Sequence, residues 1–441
     1  MIHIFSSKGQ VHLDGHKELS KNEPVVEFMP EKVLIPAVDN KGVALANLVE
    51  VGATVQNLKI LSYTQKGSLL GVRQDFQIPV YSPVTGTVAA VVKVMSPVVG
   101  RPVNFLQITV EKEQGEEVKL APLASDDKES VVAKLKEGGI VGLGGAGFPT
   151  YIKYNTKDPI DTILINAVEC EPYLTTDYVE GIERISDVFL ALPALLKASG
   201  AQRVVIATKA DKVHLIEAIE KGIAESGMTN VTCAKVKDVY PMGWEKTLIK
   251  AALKREYDGL PSKCGVIVNN LQTVMAIGRL FAYGEVITSK VFTVSGKVSK
   301  PGNYRAPVGT VIADLIGAAG GYSNTEAIVL AGGPMTSKPL ANDSIPTFLQ
   351  TSGVTVLDRV VRRTEPCLRC GTCVDHCPAN LQPVSINEAA ERLDIALAKS
   401  FNADACVECG ICSYVCPSHI DLTANIAKMK LMIRLKANQK K

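Results

Sequence analysis

The chain has 441 residues, 46% of them hydrophobic and 21% charged, enough for about three domains of ordinary size with well-buried cores. Lys and Arg nearly balance Asp and Glu, and a net charge of +3 excludes the broad basic surface that nucleic acid or an acidic membrane demands. No apolar run approaches the about 18 residues of a bilayer-crossing helix, and the opening Met1-Ile-His-Ile-Phe-Ser-Ser is too short and polar for a signal peptide. A cytoplasmic protein without a span of its own is expected.

Residues 1–30 are polar and read as an extended arm that covers another domain. His12 and His16 have the spacing of a metal pair on a helix, but Gly15 and the turn-rich surroundings argue against a helix there. From 31 to 115 the pattern becomes short β-type runs: 33–36, 44–49, 54–61, 84–92 and 105–110, with Gly52, Gly67 and Gly86 where tight turns are needed. The phrasing of Val51-Gly-Ala-Thr-Val-Gln and Ser82-Pro-Val-Thr-Gly-Thr-Val resembles a barrel-sandwich hybrid, the fold of lipoyl and biotinyl carriers. No Lys between Lys66 and Tyr81 has the setting of a modified carrier lysine, so a structural β module is the reading here.

Residues 121–285 change character again. A helix at 130–136 leads into Gly142-Leu-Gly144-Gly145-Ala146-Gly147-Phe-Pro-Thr. Glycines in such number let successive backbone N–H groups approach an anion without Cβ interference. A helix starting nearby and Lys153 would add positive charge. By itself such a run is equally a tight turn. Next comes a buried-strand pattern, 161–166, ending on Asn166, Glu169 and Glu171. An apolar helix (179–196), a strand (203–208), a helix (212–225) and a strand (265–270) complete the unit. Alternating strands and helices imply a parallel sheet of the Rossmann-like α/β class, with ligands at the carboxyl ends of its strands. Asn269 and Asn270 close the last strand, where they either bond a nucleotide or flavin or cap the next helix. Residues 290–350 read as a β-grasp: a hairpin turning at Pro301-Gly302, a helix at 310–319 and a strand at 327–333.

The last unit, 360–441, holds eight of the eleven cysteines in two C-x2-C-x2-C-x3-C-P runs, starting at Cys367 and Cys406. This is the spacing of bacterial two-cluster ferredoxins, in which the fourth Cys of each run ligates the other cluster. One [4Fe–4S] cluster is thereby assigned to Cys367, Cys370, Cys373 and Cys416. The second is assigned to Cys406, Cys409, Cys412 and Cys377. Zinc sites have no need of a third and fourth Cys at these positions, twice over. Cys170, Cys233 and Cys264 show no pairing pattern and read as ordinary small residues. A basic amphipathic segment, 423–436, either docks on its own domain or meets a partner or membrane surface.

Three of these stretches together resemble the flavoprotein subunit of respiratory complex I. In that family the glycine loop cradles FMN and shapes the NADH site. Asn166, Ala167, Glu169, Glu171 and Pro172 match its Asn-Ala-Asp-Glu-x-Glu-Pro. Tyr240, Gly243 and Glu245 match its Tyr-x-x-Gly-Glu-Glu, and Asn269-Asn270 its Asn-Asn-x-Glu-Thr. Val168, Trp244 and Gln272 replace acids of the family pattern, and no Arg precedes the glycines. Residues 291–320 resemble the soluble-ligand-binding β-grasp (SLBB). The whole order is similar to the C subunits (RnfC) of the Rnf ion-translocating ferredoxin:NAD oxidoreductases. The resemblance implies FMN on Gly142, Gly144, Gly145, Ala146, Gly147, Lys153, Asn166, Tyr240, Gly243, Asn269 and Asn270. It implies Glu169, Glu171 and Glu245 around NAD(H), and partners that are integral membrane and ferredoxin-type subunits at the cytoplasmic face. Soluble relatives of the same layout serve corrinoid or proline and other amino-acid reductases, and a non-catalytic iron–sulfur relay is a further alternative.

Overall fold

The computed structural model describes residues 9–439 apart from 39–43, 47, 57–59, 64–66, 70–71, 75–77, 98, 116–118 and 146. The arm contributes β1 (Val25–Glu27), which joins a distant sheet. The β module follows with β2 (Lys32–Pro36), β3 (Thr54–Val55), β4 (Ile60–Tyr63), β5 (Gly67–Leu69), β6 (Val72–Gln74), β7 (Pro79–Tyr81), β8 (Gly86–Ser96) and β9 (Arg101–Val110). Strands β2, β9, β8 and β3 form an antiparallel sheet in that order, and β4–β7 and β5–β6 pair separately. Inward side chains Val33, Ile35, Val55, Leu61, Val88, Leu106 and Ile108 fill the core.

Two expectations fail in this module. Over 44–49 the described residues form no strand but bridge residues at Ala44, paired with Val38, and at Ala46, in a stretch whose Ala and Asn residues favour strands weakly. The run 54–61 is divided between β3 and β4, with 57–59 outside the described residues. The small hairpin β5–β6, within a segment too polar to show alternation, was not anticipated.

The α/β unit runs α1 (Lys128–Glu137), α2 (Thr150–Tyr154), β10 (Thr162–Asn166), α3 (Thr176–Arg184), α4 (Ser186–Ser199), β11 (Arg203–Lys209), α5 (Val213–Ser226), β12 (Val231–Val236), α6 (Glu245–Leu253), β13 (Val266–Asn270) and α7 (Leu271–Tyr283). All four strands are parallel, in the order β12-β11-β10-β13. Helices cover both faces, so β10 is apolar on both sides and buried through Ile165. The single helix expected over 179–196 is two. The chain turns at Ile185, and Asp187 in the first turn of α4 accepts bonds from Arg184 Nε and Nη2 at 3.1 and 2.8 Å. An acid there suits the positive end of a new helix.

The next sheet contains β14 (Ser289–Gly296), β15 (Gly302–Pro307), β16 (Ala327–Ala331) and β17 (Gly353–Asp358), crossed by α8 (Ile312–Ala318). Its order is β1-β15-β14-β17-β16. The sequence boundary at 350 therefore falls short, since β17 is a central strand of this sheet, and the arm supplies its edge through Val25, paired with Asn303. The last unit holds α9 (Thr372–Asp375), α10 (Pro383–Glu391), α11 (Ile395–Ser400), α12 (Ile411–Tyr414) and α13 (Leu422–Gln439). Ile426, Met429 and Ile433 of α13 are buried with Leu381, Ile386 and Ala398, so this helix docks on its own domain.

Candidate functional site

In the parallel sheet the chain goes from β10 outward through β11 and β12, then returns to the other side of β10 as β13. The strand order reverses between β10 and β13, and a crevice outside the carboxyl ends of two such strands is where open α/β sheets bind ligands. Asn166 and Asn270, the last residues of the two strands, stand opposite each other in register.

The glycine loop lies against this switch point. Its ends are clasped by a bond from Gly142 N to Phe148 O at 2.9 Å, and Leu143 N donates to Thr273 Oγ1 on α7 at 3.0 Å. Two of its glycines are demanded by packing. A Cβ on Gly144 would sit 2.6 Å from Asn270 Nδ2, and one on Gly147, where φ is +67°, would collide with the Gln350 side chain. Gly145 is different: a Cβ there meets no protein atom within 4 Å. Ala146 lies outside the described residues.

Around the crevice, Asn166 donates to Gly243 O at 2.8 Å and accepts from Val168 N at 2.9 Å. Gly243 is required, because a Cβ would lie 2.5 Å from Val168 O. Asn269 donates to Tyr154 Oη at 2.7 Å, while its buried Oδ1 has no partner among the described residues. Thr150 Oγ1, one turn before Tyr154 on α2, is likewise buried and unpartnered. Orphaned buried acceptors and hydroxyls are rare in native structures, and these two call for a polar partner such as water or a ligand. Of the two roles the sequence allowed, Asn270 takes the capping one, and its amide is otherwise bonded within the protein. It caps α7 by accepting from Thr273 N, and its Nδ2 donates to Asp177 Oδ2 at 2.9 Å.

The remaining expected site residues are spread over three tasks. Lys153 points its ammonium at Val268 O, 2.6 Å away, and burial lowers its pKa. Glu169 Oε1 accepts from Thr176 Oγ1 and Asp177 N at the start of α3. Glu171, its pKa raised by burial, accepts from Met335 N at 3.1 Å and Thr336 Oγ1 at 2.5 Å, so it reaches the loop after β16. Glu245, at the start of α6, accepts from Tyr257 Oη at 2.9 Å through Oε1 alone. Of the three carboxylates expected around one pocket, Glu169 and Glu171 are engaged elsewhere, at the start of α3 and in the loop after β16.

Sequence reasoning missed two buried charges here. Lys17 crosses from the arm, donates to Glu171 O at 2.7 Å, Glu169 O at 3.2 Å and Leu174 O, and pairs with Glu169. A lone Lys in a polar arm carries no signal of this. Asp177 accepts from Asn270 and Gln272, and burial followed by the Glu169 charge pushes its pKa up to about 7.

The twin cysteine runs fold as repeats. Gly371 and Gly410 take φ of +78° and +81°, Arg369 and Glu408 take +54° and +56°, and Asn380 and His419 both take +53°. Cys377 comes from the first run yet lines one cavity with Cys406, Cys409 and Cys412 of the second. Cys373 in turn feels the charges of Cys370 and Cys416. Each thiol set therefore draws one member from the other run. Burial and the neighbouring thiols push Cys409 up to about 12, a penalty on thiolates that a cationic iron core offsets. No group of three His, Cys, Asp or Glu among the described residues is placed to hold a single metal ion.

The crevice and one of these cysteine sets touch. Tyr240 Oη donates to Cys409 O at 2.7 Å, and Val11 of the arm bridges Tyr240. Met335, whose N–H binds Glu171, also lies against Gly410. Gly9 N of the arm donates to Asp375 O beside Cys377 at 3.0 Å.

Comparison with known proteins agrees with this architecture. Family models match at 5–114 (RnfC barrel sandwich hybrid domain), 135–279 (Nuo51 FMN-binding domain), 291–339 (SLBB domain) and 366–420 (4Fe-4S dicluster domain). The C subunit of the ion-translocating oxidoreductase complex of Rhodobacter capsulatus is 32% identical, covering 88% of this chain and 75% of its own. The C subunit of the proton-translocating ferredoxin:NAD(+) oxidoreductase complex of Clostridium ljungdahlii is 30% identical over 86% and 83% of the two chains. The Na(+)-translocating counterpart from Acetobacterium woodii is 30% identical over 87% of each. With the glycine loop at the switch point and the crossed cysteine sets beneath it, the chain belongs to the family of C subunits of Rnf-type ion-translocating oxidoreductase complexes.

Proposed function

We propose that this chain passes electrons between NAD(H), taken up with FMN at the β10/β13 switch point, and two [4Fe–4S] clusters, as the C subunit of an Rnf-type membrane complex. The observation that carries the reading is the short path between the two: Asn166 at the end of β10 bonds Gly243 O, and Tyr240, three residues earlier, donates its hydroxyl to Cys409 O. A flavin exchanges a hydride's two electrons with nicotinamide and single electrons with a cluster.

The chain's own residues divide the remaining work. With Gly142 N and Leu143 N already bonded within the protein, the loop offers a phosphate its backbone from Gly144 on, with Gly145 the open position. The unpartnered Thr150 hydroxyl and Asn269 amide oxygen supply polar contacts to the ligand. Asn166 and Gly243 hold the crevice floor in shape. Glu245, with Oε2 free among the described residues, accepts from ribose hydroxyls or the carboxamide and orients the nicotinamide. Its charge also repels the extra phosphate of NADPH. Glu169, Glu171 and Lys153 act by holding the loops around it.

No helix among the described residues is long and apolar enough to cross a membrane, so membrane association comes through partner subunits, at the cytoplasmic face. Anaerobic titration of the holoprotein tests the reading: NADH bleaches the cluster absorbance. Glu245→Gln lowers that rate about tenfold or more, equal to about 1.4 kcal/mol, while dithionite still reduces both clusters. A wild-type protein with full FMN that shows no NADH-dependent bleaching overturns the nicotinamide site.

A further inference from the structure

The two thiol sets differ in what surrounds them. Cys406, Cys409 and Cys412 are partly buried, and their run meets the α/β unit at Tyr240 and the β-grasp at Met335. Cys367 and Cys370 are exposed, and so is every residue from 361 to 370. The set that includes Cys367 is therefore the outer one.

Its surroundings have a definite composition. Val361, 85% exposed, is the most exposed large apolar side chain among the described residues, and Val360 and Leu368 are 67% and 70% exposed. Arg359, Arg362, Arg363 and Arg369 flank them, against the single acid Glu365. Arg363 reaches Glu365 at 3.5 Å and Arg369 reaches Glu388 at 3.7 Å, exposed pairs that hold little energy. Arg359 and Arg362 have no ion-pair partner among the described residues. The coil is held in place: Glu365 N donates to Ser418 O and Ser418 Oγ to Pro366 O, both at 2.9 Å, and Arg359 N donates to Glu326 O at 3.1 Å. An apolar centre with a one-signed charged rim, presented on fixed backbone around exposed cluster ligands, suits a transient encounter steered by charge.

We propose that the coil 359–370 is the docking face for an acidic protein that carries its own one-electron centre near its surface. The proposal rests on the electron-transfer reading above and adds where the electron crosses and what meets it. One electron crosses per encounter: the outer cluster is oxidised as the partner's centre is reduced, or the reverse, and no bond or proton is exchanged. The patch surrounds cluster ligands, and a lipid layer accepts no electrons, which favours a protein over a membrane as occupant.

The test uses holoprotein with both clusters verified by iron content and EPR, reduced by dithionite and freed of excess. It is mixed with an oxidised small acidic flavodoxin, whose one-electron-reduced band at long wavelength gives the rate. In Arg359→Glu/Arg362→Glu the second-order rate falls at least tenfold at low salt, and the gap closes near about 0.5 M salt as the screening length shrinks to a few Å. Val361→Ser lowers the rate by a factor that salt does not remove. NADH-dependent cluster reduction stays at the wild-type rate in both variants, because that transfer is internal. A failure of the nicotinamide reading shows as unbleached wild type, while the dithionite-driven reaction still reports on the face. A wild-type rate at low salt in the charge-reversed double variant overturns the proposal. So does binding to phosphatidylglycerol vesicles that the double variant loses while flavodoxin reduction is unchanged.

Discussion

Gly145 is the position where loop architecture and ligand binding separate. Its two neighbouring glycines are fixed by packing, Gly144 by Asn270 and Gly147 by Gln350 together with a positive φ. At Gly145 a side chain meets no protein atom within 4 Å, and its backbone is not in the left-handed region. Gly145→Ala should therefore leave the apoprotein as stable as before, or stabilise it by about 0.4–1 kcal/mol through the unfolded chain. Gly145→Asp adds a negative charge on the side the phosphate would approach. Two unit charges about 4 Å apart repel by about 1 kcal/mol in water and about 4 kcal/mol at the effective dielectric of a protein surface. FMN affinity should fall between about fivefold and a thousandfold. The assay is fluorescence titration of FMN into apoprotein, beside a melting curve and iron analysis of each variant. The expected pattern is weak FMN binding, an unchanged melting temperature and full iron in Gly145→Asp. Gly147→Ala should instead lose about 1–3 kcal/mol of stability. A Gly145→Asp protein that binds FMN like the wild type refutes the assignment of the loop.

Cys377→Ala should lower iron from about eight to about four per chain and remove the EPR signal that Cys406→Ala removes, with the signal that depends on Cys373 intact; loss of the latter would show that the runs are not crossed. Asp177 has a folded pKa near 7, above its ordinary 3.8. The native state thus keeps a proton that the unfolded chain has released, and this contribution to stability declines as pH rises through that window. Asp177→Asn should remove the decline, so the difference in melting temperature between variant and wild type moves in the variant's favour from roughly pH 5 to pH 8; parallel curves would place the charge elsewhere.

The cluster ligands were legible because their chemistry is written in spacing, and the fold kept that spacing as a repeated backbone. The parallel sheet was legible for a similar reason: β10 and β13 each carry three consecutive apolar residues, Ile163-Leu-Ile165 and Val266-Ile-Val268, the mark of strands covered on both faces. The roles of individual acids were not legible. Glu169 and Glu171 stand in the right phrase, but Glu169 is taken up by the start of α3 and Glu171 by a loop more than 160 residues away, a pairing no local pattern encodes. β17 was overlooked although Ser352-Gly353 punctuates its start, and β1 escaped because three residues of a polar arm show no periodicity. Lys17 escaped for a plainer reason. What makes it important is the set of carbonyls it meets, and those belong to another domain.

These long-range contacts bear on how the parts work together. Electron transfer between two centres weakens steeply with distance, so a flavin crevice and a cluster must be held at a fixed separation while substrates come and go. A linker alone would let the modules drift, since interdomain surfaces of ordinary size permit motion. Here the arm crosses all the seams at once: Lys17 enters the crevice rim, Val11 bridges Tyr240, Gly9 bonds beside Cys377, and β1 completes the β-grasp sheet. The β-grasp returns the constraint through Met335 and Thr336, which tie Glu171 to the Gly410 loop. Glu171 is half-buried and raised in pKa, so breaking that tie would leave its carboxyl without its partners at the seam. The same burial that removes Glu171 from the nicotinamide makes it a fastener between crevice and inner cluster. The chain can therefore lose acids of the family pattern at Val168 and Trp244, as it has, and still keep its redox centres in line.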